Sequence, residues 1–177
     1  MLRRWADGDL GPYHELCSDP EVMRYIGDGA TLSLAQCEAS IARFERGWER
    51  HGTSVLAAAR RDTDQFIGFV GLTVPEFLPE VLPAVEIGWR FFRDQWGQGL
   101  ATEGGAAALK WGLTSQRIER IVSIIQVGND ASRRVAEKLG MQLDHETTHP
   151  GVGRRLWVYA VDRLAAASAT TASRSSS

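Results

Sequence analysis

The segment Val85–Thr102, VEIGWRFFRDQWGQGLAT, restricts the possible folds more than any other part of the chain. Val85, Ile87 and Trp89 alternate with Glu86, Gly88 and Arg90. That two-residue period, rich in β-branched and aromatic side chains, predicts a strand. A polar turn follows at Arg93-Asp94-Gln95, then Trp96-Gly97-Gln98-Gly99-Leu100-Ala101, then a helix. Strand, glycine-rich turn and helix start make a pocket for anions. Glycine lets the backbone bend and lets a ligand come close. The first amides of a helix have no intrahelical acceptor and point outward. The helix dipole adds roughly half a positive charge there. A pyrophosphate fits such a site without any lysine.

Two other phosphate motifs fit poorly. A Walker A loop ends in Gly-Lys-Ser/Thr, where this chain has Gly99-Leu100-Ala101. The dinucleotide fingerprint needs a third glycine, and that position is Thr102.

Trp96–Ala101 resembles the acyl-CoA loop of the GNAT N-acetyltransferases, Gln/Arg-x-x-Gly-x-Gly/Ala, which it matches at Gly99, Leu100 and Ala101. The first position is Trp96, a departure from the general signature. It resembles the Rim-type (RimJ/RimL-like) branch, where Trp-Gly-x-Gly-x-Ala-Thr-Glu is common; here the string is WGQGLATE. A second string, NDASRRVAEKLGM, resembles the family's Asn-x-x-Ser…Lys-Leu-Gly-Met/Phe segment. SDPEVMRYIG and FIGFVGL resemble the branch as well, so the likeness spans about residues 2–162. The resemblance implies an α/β (α+β) domain with a mixed, mostly antiparallel central sheet flanked by helices. It also implies acetyl-CoA as co-substrate and no metal.

The rest of the chain fits one such domain. Leu2–Trp5 reads as a first strand, and Asp9 as the cap of a helix over Leu10–Leu16. Asp19-Pro20-Glu21 restarts a helix that Gly27 ends. Ser33 opens a helix to about Arg50, with Leu34, Cys37, Ile41, Phe44 and Trp48 as its apolar stripe. The stripe reads as core, and the resemblance adds that Phe44 or Trp48 also walls the acceptor pocket. Thr53–Arg60 and Gln65–Val74 form a hairpin, in which Gly68 and Gly71 signal close packing or a bulge. Pro75–Pro83 is a loop with exposed-looking Phe77, Leu78, Val81 and Leu82. It reads as a stiff connection, a substrate-side wall or a homodimer contact. The helix Leu100–Leu113 is full of Gly and Ala, which predicts that it is pressed closely on the sheet. A strand over Arg117–Val127, a helix from Asn129 to Leu139 stopped by Gly140, and strands over Gln142–His149 and Leu156–Val161 complete residues 1–164. From Ala165 the composition collapses to Ala, Ser and Thr, so residues 165–177 read as a disordered tail.

Composition excludes some classes. Of 177 residues, 44% are apolar and 24% charged, ordinary for a globular chain, and the net charge of -2 comes with no basic face, against nucleic-acid binding. Cys17 and Cys37 have no metal or redox spacing and read as free thiols. MLRRWADGDL has no apolar run after its arginines, so no signal peptide is expected. No run of ~18 apolar residues occurs, so no membrane span is expected either. A cytoplasmic protein is the default.

Acetyl transfer needs four things: a seat for the pyrophosphate, an aligned thioester, a base for the amine and a proton for the leaving thiolate. The backbone of Trp96, Gly97, Gln98, Gly99, Leu100 and Ala101 is the candidate seat. By the resemblance, the splayed end of the Val85–Phe92 strand holds the pantetheine through free amides at Arg90, Phe91 and Phe92. Arg93 reads either as a phosphate contact or as a solvated turn residue. No Tyr occurs between Tyr25 and Tyr159, so the tyrosine acid of many GNAT members has no counterpart in the helix after the fifth strand. The Rim-type branch has a Ser there, here Ser132, to hydrogen-bond the thiolate. Asn129 caps the helix, touches the pantetheine, or both. Glu86 is the first candidate base, or else a solvent-facing strand residue; Glu146, His145 and His149 are alternatives. Glu103 is better explained by the helix dipole. His14 and His51 have no identifiable partner.

The sequence thus reads as an acetyl-CoA-dependent N-acetyltransferase acting on a primary amine by direct attack. The acceptor is a protein N-terminus or a small amine. A metabolite, polyamine or antibiotic acetyltransferase is the alternative enzyme, and a non-catalytic acyl-CoA-binding module the alternative from another class.

Overall fold

A computed structural model describes residues 1–163; the predicted tail lies outside the described residues. Seven strands form one sheet in the order β1-β2-β3-β4-β5-β7-β6. They are β1 (Leu2–Arg3), β2 (Val55–Ala59), β3 (Phe66–Thr73), β4 (Val85–Phe91), β5 (Arg120–Gln126), β6 (Gln142–Thr148) and β7 (Arg155–Asp162). Every neighbouring pair is antiparallel except β4 and β5. That parallel pair is short: Val85 stands against Ile121 and Glu86 against Val122, and no further pairs form. Beyond Glu86 the sheet forks.

Helices cover both faces. On one, α4 (Leu100–Thr114) and α5 (Asp130–Lys138) pack on Ile87, Phe91, Ile121 and Ile125. The expected close approach of α4 is real. A Cβ added to Gly112 would lie 2.8 Å from Leu72 Cδ1 and 3.0 Å from Ile121 Cδ1. The small residues therefore let this helix sit nearer the strands than larger side chains allow.

On the other face lie α1 (Leu10–Ser18), α2 (Pro20–Met23) and α3 (Leu34–His51). They bury Tyr13, Leu16, Cys17, Met23 and Cys37 against Val55, Phe66 and Phe69. Both cysteines are free and buried. Asp19 caps α2 by accepting from the Glu21 amide, and Ser33 caps α3 in a reciprocal box with Gln36. Gly140, at φ 79°, stops the α5 segment, and Met141 folds back into the core with its amide on the Ala136 carbonyl.

Several expectations shift. Asp9 does not cap α1. It is buried, accepts from the Ala6 amide and pairs bidentately with Arg3, which holds its carboxyl below the usual range despite burial. Leu34 is 49% exposed, and Ser33, Ala35 and Gln36 beside it at the start of α3 are exposed too. Leu78, read as exposed, is buried with Ala84, Val122, Leu156 and Val158 beneath the Pro75–Pro83 loop; Phe77 and Leu82 do stay exposed. β5 starts at Arg120, later than expected, because Arg117 takes a left-handed turn conformation at φ 54°.

Candidate active site

The fork between β4 and β5 opens into a cavity of about 290 Å³. Its lining comes from both faces of the sheet. Glu86, Gly88 and Arg90 line it from β4, Ser123 to Gln126 from β5, and Asn129 and Ser132 from the start of α5. Tyr25 and Gly27 contribute from the turn after α2, Phe77 from the proline-rich loop, and His149 and Arg154 from the β6–β7 connection.

Glu86 is the last β4 residue paired to β5, and it stands beside Val122. Paired residues share a face, so its half-buried side chain stands on the Val122 side of the sheet. It also lines the cavity. Desolvation pushes the carboxyl up to about 8, and no other cause contributes. Among the described residues it has no ion-pair partner. A carboxyl poised near neutrality in a cleft is suited to proton transfer.

Ser132 and Asn129 reach the cavity together. Asn129 Oδ1 accepts from the Ser132 amide at 3.1 Å, the N-cap expected from sequence. The Ser132 hydroxyl takes no part in that bond, and among the described residues it makes no other. The cap leaves it free to point into the cavity.

Amides on the β4 side of the fork follow a two-residue period. Phe92 donates to the Ile67 carbonyl at 3.2 Å. By alternation along an antiparallel pair, Arg90 and Gly88 also face β3. The fork-facing amides are therefore those of Phe91 and Trp89. This corrects the expectation that Arg90, Phe91 and Phe92 all offer free amides. The Phe91 side chain is core, and the Phe92 side chain packs on the α1–α3 side.

The glycine-rich turn lies where β4 hands over to α4. Gly99 is the N-cap at φ 80°, and Gly97 has φ 75°. No side chain caps α4, and a Cβ at either glycine would meet nothing within 4 Å. The Trp96 indole donates to the Phe91 carbonyl at 2.9 Å, and Gln98 Nε2 to the Asp94 carbonyl at 2.7 Å, which fixes the turn. Leu100 and Ala101 begin the helix and pack on the core through their side chains. Arg93 leans toward Asp19, 3.8 Å away, not toward the helix start.

Of the alternative bases, the cavity receives only His149. Its Nδ1 accepts from the Gly151 amide at 3.0 Å, and its ring stacks on Phe77 with centroids 4.9 Å apart. His145 is held by Asp144 and Glu80 outside the cavity, with its pKa raised chiefly by the Asp144 hydrogen bond. Glu146 is tied to Arg155 and Trp157. Phe44 and Trp48 do not reach the cavity; Phe69 lines it, with Phe44 packed on Phe69 at 6.2 Å. Sequence reasoning missed Tyr25, Arg154 and Gly88. Tyr25 was already inside the SDPEVMRYIG string, a signal that was there to use.

A cleft at a strand fork thus lies beside an uncapped, glycine-rich helix start. The sequence model of the Acetyltransferase (GNAT) domain matches residues 1–142. YkkB of Bacillus subtilis is 34% identical over 126 residues, covering 71% of each chain. The N-acetyltransferase YoaA of Bacillus subtilis is 28% identical over 142 residues, 80% of this chain and 78% of its own. Among solved structures, spermidine N-acetyltransferase from Vibrio cholerae, in complex with CoA and spermine, superposes with a TM-score of 0.74 at 17% identity, covering 92% of this chain and 95% of its own. RimL, the ribosomal L7/L12 α-N-protein acetyltransferase in complex with CoA, gives 0.75 at 17% identity, covering 91% and 92%. The chain belongs to the GNAT acetyltransferase family and is an acetyl-CoA-dependent acetyltransferase. No helix among the described residues is long and apolar enough to cross a membrane, and no group of metal-ligating side chains occurs among them.

Proposed function

We propose that residues 1–164 form one catalytic domain that moves the acetyl group from acetyl-CoA to a primary amine by direct attack. The carrying observation is that one cavity passes through the β4–β5 fork, with Ser132 on the α5 side and Glu86 on the other. The pyrophosphate suits the Gly97–Ala101 turn, whose outward amides lack a side-chain cap and whose glycines leave room. The pantetheine then lies along the fork, on the amides of Trp89 and Phe91, beside Asn129.

The chemistry balances on these residues. Glu86, as carboxylate, takes a proton from the ammonium form of the acceptor, which leaves the neutral amine. The nitrogen lone pair attacks the thioester carbon, and a tetrahedral intermediate forms. The C–S bond breaks, and the thiolate leaves toward Ser132, whose hydroxyl donates a hydrogen bond to it. The second nitrogen proton, made acidic in the intermediate, ends on the thiol, and Glu86 returns its own proton to solvent. The products are an acetamide and CoA.

The Rim-type reading rests on WGQGLATE and favours a protein N-terminus and a cytoplasmic setting. A small amine is the other acceptor class. RimL and the spermidine enzyme share this fold about equally, so the fold alone does not select between them.

The test is calorimetric titration with acetyl-CoA, with ATP and NAD as controls, followed by an amine panel under a free-thiol assay. One-site binding specific to acetyl-CoA and thiol release with an amine support the reading. Binding with no thiol release from any amine favours the acyl-CoA-binding module.

A further inference from the structure

We propose that the acceptor amine also carries a carboxylate, and that Arg90 receives it. This rests on the reading of the cleft as an acetyl-transfer site and adds the class of acceptor.

The first argument is placement. Along β4, Ile87 and Phe91 face α4, so Glu86, Gly88 and Arg90 face the opposite side. Arg90 there packs toward α1, with Nη1 on Cys17 Sγ at 3.2 Å and the guanidinium 5.1 Å from the Phe69 ring centroid. The helix start that suits the pyrophosphate belongs to the other face, so Arg90 is not placed for the CoA phosphates. The Cα atoms of Glu86 and Arg90 lie ~13 Å apart, four residues along an extended strand. Between them is Gly88, whose Cβ position meets no atom within 4 Å. The floor of the acceptor side is therefore a carboxyl, an open step and a guanidinium.

The second argument is charge. Among the described residues Arg90 has no carboxylate partner, and its Nε is sealed from solvent with no acceptor. A guanidinium whose Nε is buried without an acceptor carries a cost at that nitrogen, and its recorded contacts are a thiol and a ring. An anion that reaches its outer edge offsets that cost. Arg154, across the cavity, likewise bonds only neutral oxygens, those of Arg24 and Asp28 in the backbone and of Gln126 in its side chain. Among the described residues Glu86 is the sole carboxyl in the lining, and it is largely protonated at neutral pH. The acceptor side therefore carries two guanidiniums and little negative charge. That field opposes a polyamine. It also favours the neutral form of an amine anchored by its own carboxylate, the form that attacks.

The experiment compares γ-aminobutyrate and ε-aminocaproate with their primary amides, and with spermidine, as acceptors for the full chain. The carboxylates are expected to exceed the amides in kcat/KM by about tenfold or more. Arg90→Gln brings that ratio to near one, and Arg90→Lys keeps part of it. Equal use of amides and carboxylates, or a preference for spermidine, overturns the proposal while leaving acetyl transfer intact. So does an Arg90→Gln variant that weakens acetyl-CoA binding and leaves the ratio unchanged. If none of these amines is acetylated, calorimetry on the CoA-loaded protein decides. Tighter binding of ε-aminocaproate than of its amide upholds the proposal, and equal or absent binding overturns it.

Discussion

Glu86 stands opposite Val122 in the last pair that β4 and β5 make, so a titratable carboxyl sits at the apex of the fork. Desolvation holds it near 8, above the ordinary glutamate value of 4.5. Two consequences have opposite pH signs.

For catalysis the base must be ionised. kcat/KM is expected to rise with pH and level off above about 8, and Glu86→Gln is expected to lower it by roughly 10²–10³ and remove that rise. A pH–rate profile of both proteins checks this. For stability the raised pKa means that the folded state holds a proton the unfolded state releases. Its contribution is fully present below about 4.5 and is lost as pH rises through about 8. Glu86→Gln removes that loss. The variant is expected to be more stable than the parent at pH 9, by about 1–3 kcal/mol, and to converge with it near pH 5. Denaturant melts at the two pH values read the difference.

Asn129 and Ser132 separate structure from chemistry. Asn129 caps α5 with its side chain, whereas Ser132 contributes only its backbone amide to that cap. Asn129→Ala is expected to cost about 1 kcal/mol of stability. Ser132→Ala is expected to leave the melting temperature nearly unchanged and to lower kcat by roughly tenfold or more, with little change in acetyl-CoA affinity. An unchanged kcat would return Ser132 to an ordinary first-turn serine.

The α4 glycines give a stability prediction remote from the cavity. Replacing Gly112 by Ala adds helix propensity, worth about 1 kcal/mol. The new methyl meets Leu72 and Ile121, both fully buried, at 2.8 and 3.0 Å. Overpacking of that kind costs about 1–3 kcal/mol. Gly112→Ala is expected to be net destabilising by about 1 kcal/mol, and Gly112→Val by more, as read in chemical denaturation.

What could be read from sequence was local. The turn at Gly97–Ala101, the Asn129 cap and the Gly140 stop each declare themselves within a few residues, because dihedral preference and capping are short-range. The mixed, mostly antiparallel sheet followed from the family resemblance, not from periodicity. Glu86 was legible as a strand residue near the thioester end, but its place in a cavity wall shared with Leu156 of β7 depends on tertiary contacts. Leu78 itself was misread, since nothing local says that a proline-rich loop folds back on the sheet. The amide of Phe92 was assigned to the wrong side, because that depends on the β3–β4 register. Tyr25, His149 and Arg154 meet at the cavity from segments more than a hundred residues apart. One sequence cannot show such a meeting.

Gly99 tests the anion seat without touching the reacting groups. At φ 80° it takes a conformation that costs an L-residue about 1–2 kcal/mol, yet its Cβ position is open. Gly99→Ala therefore adds torsional strain and no clash. Relief of that strain rotates the first amides of α4 away from their common aim. The expected outcome is a weaker Kd for acetyl-CoA, by about 5–20-fold, with a melting temperature only a few degrees lower. Because Glu86 and Ser132 stand on other elements, kcat at saturating acetyl-CoA should change far less than Kd. Titration calorimetry on Gly99→Ala and the parent measures the shift. Equal affinities would mean that the amides at the start of α4 do not carry the pyrophosphate, even though no side chain caps them.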